Sequence, residues 1–176
     1  MRIAGKESEN MEAIDIRRSV RKYNGMPVED EKIEKLLRAA MQAPSAGNQR
    51  ESEFIVVSSR KSLEQLSAMS PYSGLIARAP LAIVLLGNTE RMQFPENWEQ
   101  DLGAAAENIL IEAVDLDLGA VWLGVHPLEE RIAAVRKQFS LPDNLRPFAV
   151  IAVGYPAEKE ANHFEDRWER KRVHYE

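Results

Sequence analysis

Residues 98–125, WEQDLGAAAENILIEAVDLDLGAVWLGV, carry the reading that decides the fold. Leu102, Ala105, Ala106, Ile109, Leu110 and Ala113 recur at helical spacing and make one apolar stripe. Ala104, Ile111, Val114 and Leu116 fill the other faces. A helix apolar on most sides is a buried one, and its small alanines let neighbouring elements approach closely. The spacing predicts a helix over 96–118, stopped by Gly119, with AVWLGV at 120–125 following at once as a strand.

Working outward, a short helical start falls around 11–16. A second helix is expected over 30–42, where Ile33, Leu36, Leu37, Ala40 and Met41 keep the helical stripe. Glu29, Asp30 and Glu31 stand where the helix dipole favours negative charge, and Pro44 ends the run. EFIVVS at 53–58 reads as a strand, 60–68 as a helix, and PLAIVLLG at 80–87 as a strand buried on both faces. Pro127 opens a helix over 127–138, and PFAVIAVGYP at 147–156 is the last strand. Four strands interleaved with helices make a layered sandwich of helices and sheet, read as a single domain over 1–176. The polar tail from 157 cannot build a core of its own and needs a surface to wrap, on the body or on a second subunit.

Composition narrows the class. With 44% hydrophobic and 29% charged residues of both signs, the chain is ordinary globular material. No apolar run approaches the ~20 residues of a membrane span, and the first residues are too polar for a secretory leader, so a cytoplasmic location is expected. The absence of cysteine excludes disulfides, a thiol nucleophile and cysteine zinc sites. A net charge of −5 argues against general nucleic-acid binding. Phosphate-binding loops, dinucleotide fingerprints, zinc helices and nucleophile elbows are all missing. His126, His163 and His174 sit on separate segments without ligand spacing, so no metal is expected. No side chain stands out as a catalytic residue; a bound cofactor would have to carry any reaction.

Three constellations remain. Arg17, Arg18, Arg21 and Lys22 crowd around Ser19 in an acidic chain, and guanidinium groups suit phosphate. The same cluster is also compatible with a salt-bridged surface loop. Pro44-Ser45-Ala46-Gly47-Asn48-Gln49 offers small residues, a hydroxyl and amides, with Gly47 able to let a ligand approach the backbone; a plain helix-to-strand turn is the alternative. In GAVWLGVHP the backbone around Leu123 and Gly124 is suited to face a flat ring, with Trp122 read as core. A second basic cluster, Arg167, Arg170, Lys171 and Arg172, closes the chain and on its own reads as a solvated tail.

In order along the chain, RRSVRKY, APSAGNQ, WEQDLGAAAENILIEA with LGAVWLGVHP, and IAVGYPAEK with FEDRWERKRVHYE resemble the nitroreductase family of FMN-dependent oxidoreductases from residue 12 onward. The resemblance implies an α+β fold, a three-layer α/β/α sandwich on a mostly antiparallel sheet of four to five strands, in a homodimer with FMN at its interface. It further implies ping-pong reduction of nitroaromatics, quinones or similar small-molecule acceptors by NADH or NADPH, with flavin N5 carrying the hydride. By the same resemblance, Arg17, Arg18, Ser19 and Arg21 grip the phosphate and ribityl chain, with Lys22 facing water. Pro44, Ser45, Ala46, Gly47 and Asn48 form the loop laid against the flavin by the other subunit. Trp122, Leu123 and Gly124 lie under the ring, where a backbone N–H is expected at N5, and Arg167 closes on the phosphate. Many relatives run beyond the VHYE end, so any swapped segment is expected to be short. Residues 68–96 are expected to cover the open face of the flavin. Alternatives are a divergent member performing reductive dehalogenation, dehydrogenation or flavin fragmentation, and a non-enzymatic anion-binding module.

Overall fold

Strand residues that alternate between two helical layers build the molecule. The computed structural model describes residues 13–176, so the start of the first expected helix lies outside the described residues. Its elements are α1 (Ala13–Ile16), α2 (Asp30–Met41), β1 (Ser52–Val57), α3 (Arg60–Ser67), β2 (Leu81–Asn88), α4 (Trp98–Asp115), β3 (Gly119–Gly124), α5 (Glu129–Phe139) and β4 (Leu145–Gly154). The sheet has four strands in the order β1-β2-β4-β3, every pair antiparallel. Leu81, Ile83 and Leu85 of β2 pack with Leu36 of α2 and with Leu102 and Ile109 of α4. Ala82, Val84 and Leu86 point the other way, toward Leu63 and Leu66 of α3 and Val135 of α5. The α+β sandwich expected from sequence is the fold observed, with four strands, and β2 is buried on both faces as its composition predicts.

The differences are local and have causes. The turn Pro95–Asn97 is a separate 3-10 turn, so α4 begins at Trp98. Gly119 does not stop α4; Asp117, at φ 60°, takes the left-handed conformation, and Gly119 opens β3. Gly119 is required for another reason: a Cβ there would lie 2.6 Å from both Cβ and Cγ1 of Val20. Helix α5 starts at Glu129, two residues after Pro127, and ends at the left-handed Ser140. Pro147 stands inside central strand β4, where proline costs a ladder hydrogen bond. The register against β2 shifts between Leu85 and Leu86, pairing Leu85 with Ala149 and Leu86 with Pro147, and this bulge accommodates it. Ser59 caps α3 by accepting the Ser62 N–H at 3.3 Å. Ser59→Ala should lower stability by about 1 kcal/mol in urea denaturation, the usual value of an N-cap.

Candidate functional site

The chain leaves α1 and runs alongside β3. The Val20 N–H donates to Ala120 O at 3.0 Å, and Ser19 forms a parallel bridge with Ala120. Val20 turns inward onto Gly119, while Ser19 and Arg21 are exposed on the opposite face, as extended backbone requires. Tyr23 secures the end of the segment: its hydroxyl lies 2.8 Å from Val20 O and 3.1 Å from Ala152 O, and burial pushes its phenol pKa up.

This geometry divides the basic cluster. Arg21 donates only to Ser19 O, at 3.1 Å, and neither Arg21 nor the Ser19 hydroxyl has a carboxylate partner among the described residues. Arg17 reaches Glu107 of α4, with Nε 3.2 Å from the carboxylate. Arg18 turns toward the tail instead. Its backbone N–H donates to Asn162 Oδ1 at 3.1 Å, and its Nε lies 3.6 Å from Glu165 Oε2. Arg18 Nη1 donates to Arg17 O at 2.6 Å, and Nε and Nη2 are buried without a hydrogen-bond partner. Arg167 donates to the same Glu165 oxygen at 2.7 Å. The hydrogen bond and charge of Arg167, with the more distant charge of Arg18, hold the Glu165 carboxyl below the usual range. Arg18 and Arg167 are thus brought to one carboxylate, and Arg18 is separated from Ser19 and Arg21. Lys22 is exposed and pairs with Glu158 at 2.9 Å, consistent with its facing water.

The Pro44–Asn48 loop contains a 3-10 turn, Ala46–Asn48, in which Gly47 takes φ 55°. The space beside Gly47 is filled by this chain: a Cβ there would meet the Phe94 ring at 2.3 Å. The loop is fastened to the first turn of α4. Asp101 accepts the Ala46 N–H at 2.9 and 3.1 Å and the Gln49 side-chain amide at 2.8 Å. Gln49 Oε1 in turn accepts the N–H groups of Gln93 and Phe94 at 2.9 and 3.0 Å. Ser45, Asn48, Arg50, Glu51, Arg91 and Asp101 line a cleft of about 530 Å³ beside the loop.

At the third constellation, Trp122 packs edge-on against Phe148, ring centroids 5.5 Å apart, and Leu123 is buried on the opposite face. Gly124 O accepts from Arg131 Nη1 at 2.7 Å. Ala120 turns its carbonyl to the open edge of β3, toward Val20, so the two-residue period directs the N–H groups of Trp122 and Gly124 to that same edge. The cation segment and the strand end therefore share one side of the molecule. The loop does not join them. Asp101 and Glu107, six residues apart on α4, lie about 120° apart around the helix and about 9 Å apart along it.

Sequence reasoning missed Asp101, Glu107 and Glu165, which hold these pieces. Asp101 reads as an ordinary acid in a helix's first turn, and nothing local shows that it meets a loop 55 residues earlier. Among the described residues no acidic or histidine cluster could hold a metal ion, and no helix is long and apolar enough to cross a membrane.

Comparison with known proteins decides the family. The Nitroreductase family model matches residues 14–71 and 64–155. The chain belongs to the nitroreductase family. A Methanothermobacter thermautotrophicus protein, provisionally named NADH dehydrogenase/NAD(P)H nitroreductase, is 43% identical over 94% of this chain and 86% of its own length. A Clostridium acetobutylicum structure, provisionally named NADH oxidase, is 57% identical at a TM-score of 0.91, covering 93% of this chain and 98% of that one. A Desulfovibrio desulfuricans protein, provisionally named a nitroreductase and solved in complex with FMN, is 31% identical at a TM-score of 0.82, covering 97% and 98%. Membership of the nitroreductase family agrees with the sandwich of helices on an antiparallel sheet.

Proposed function

We propose that this nitroreductase-family chain is an FMN-dependent NAD(P)H oxidoreductase that reduces nitroaromatics, quinones or similar acceptors. The observation that carries the reading is the exposed pair Ser19 and Arg21, free of carboxylates among the described residues, beside Arg17. This donor set fits a phosphate: a hydroxyl and two guanidinium groups, of which only Arg17 has a carboxylate partner, Glu107, while Glu158 in the same recess is paired with Lys22. The names of relatives and the FMN complex of the Desulfovibrio desulfuricans protein point to the same cofactor.

When bound, FMN supplies two-electron redox chemistry between NAD(P)H and an organic acceptor. The chain's own residues bind and orient. Arg17, Ser19 and Arg21 hold the phosphate, and the edge N–H groups of Trp122 and Gly124 offer donors to the ring. Arg18 and Arg167, joined through Glu165, fasten the tail over the cation segment. The Pro44–Asn48 loop serves a partner's flavin, a reading supported by its position around α4 from the cations. This assigns the protein to a homodimer, and sedimentation at micromolar concentration should give one dimeric species; a clean monomer that retains FMN would sink the shared site.

The direct test is the visible spectrum of the purified protein, followed by turnover. A yellow protein that oxidises NADH or NADPH in the presence of a nitroaromatic or quinone is the expected result. A colourless protein that takes up no FMN overturns the cofactor. A flavin-loaded protein inert toward a panel of both acceptor classes overturns the acceptor assignment.

A further inference from the structure

The cleft beside the loop contains a group that the proposed reaction does not use. Glu51 is only 1% exposed, and neither carboxyl oxygen has a hydrogen-bond donor among the described residues. Burying a carboxylate in that way costs several kcal/mol, whereas a carboxylic acid laid against a carboxylate shares its proton with it. Lining the same cleft is Asp101, the residue that holds the loop through Ala46 and Gln49. We propose that Asp101 and the buried Glu51 together are positioning residues for the Pro44–Asn48 loop. This rests on reading that loop as part of the flavin site.

The geometry explains how the pair works. Two donors already converge on Asp101, and a second negative charge beside it would be repelled, so Glu51 must stay neutral to lie there. Burial first, together with the charge and contact of Asp101, pushes the Glu51 pKa up, outweighing the opposite pull of its own backbone N–H and of the Gln49 amide. The other charged groups lining the cleft are Arg50, whose Nε donates to Asn48 Oδ1 at 2.9 Å, and Arg91; the α2 residues there, Ala40 and Met41, and Gln42 just after them carry no charge. Because folding raises this pKa, the contribution is complete below the unfolded carboxylate's value. It is lost as pH rises through the higher folded value, when two adjacent carboxylates repel. The loop would then lose its hold on α4, and flavin affinity would fall.

The test is FMN affinity measured by fluorescence quenching across pH in the full-length wild type, Glu51→Gln and Asp101→Asn. The amide of Glu51→Gln mimics the neutral acid at every pH, and titration of the FMN phosphate itself cancels in a ratio of the two proteins. The ratio of wild-type to Glu51→Gln Kd should be near one at acid pH and rise about tenfold at alkaline pH, the scale of one charge-assisted contact. Asp101→Asn should weaken FMN about tenfold at all pH values. If that variant does not fold, the Glu51→Gln ratio decides alone. A ratio constant across pH overturns the positioning role while leaving the flavin reading intact. A wild type that binds no FMN at any pH overturns both.

Discussion

Replacing Arg17 and Arg21 together by alanine is expected to raise the Kd for FMN at least a hundredfold, while Arg18→Ala changes it only a few-fold. Two charge-assisted contacts at about 1.5–3 kcal/mol each amount to about 3 kcal/mol or more, beyond two orders of magnitude. Arg21 loses no internal ion pair when removed and Arg17 loses one, to the partly exposed Glu107, a kind of pair worth little to stability, so the double variant should keep its fold. Arg18 has the opposite profile. Its side chain is 12% exposed, and it links the tail through Glu165, so its removal should lower the melting temperature. Flavin titration and thermal unfolding of the same preparations check both halves. A larger loss of flavin from Arg18→Ala than from the double variant would show that the cluster is not divided as described.

Gly119→Val should destabilise the protein by about 3 kcal/mol, the upper part of the range for overpacking a well-filled site. The obstacle is Val20, a stiff branched side chain whose backbone is also bonded to Ala120, so neither partner can step aside cheaply. Relief requires lifting residues 19–21 from β3, which would carry Ser19 and Arg21 with them. The variant should therefore lose flavin affinity as well as stability. Val20→Ala in the same chain should restore part of both, since the two residues are in contact and their effects are not additive. Independent losses with no restoration in the double variant would break the link between this contact and the cation segment.

Much of the fold was legible because its signals are local. The apolar run of β2, the stripes of α2 and α4 and the four strands all follow from periodicity, and their positions hold within a few residues. Gly119 shows where local reading fails. Its place after a helix suggests a stop signal, but the helix ends at Asp115 and the chain turns at the left-handed Asp117, and the need for glycine comes from Val20, about a hundred residues earlier in the chain. The basic cluster shows the same limit. Its composition admits an anion site as well as a salt-bridged loop, whereas the direction of each side chain depends on the bridge to Ala120, which no stretch of sequence displays. Glu51 is the least legible of all, a surface-type residue by composition that no local pattern marks as buried.

Helix α4 holds one half of the proposed site through Asp101 and the other through Glu107, with five residues between them. A helix is a gauge that reads both length and angle: each inserted residue adds about 1.5 Å and turns everything beyond it by about 100°. A single insertion or deletion between the two acids would leave either half chemically intact and aim them wrongly with respect to each other. Changes of chain length in relatives should therefore collect in the tail and in the segment between β2 and α4, while this interval of α4 keeps its count.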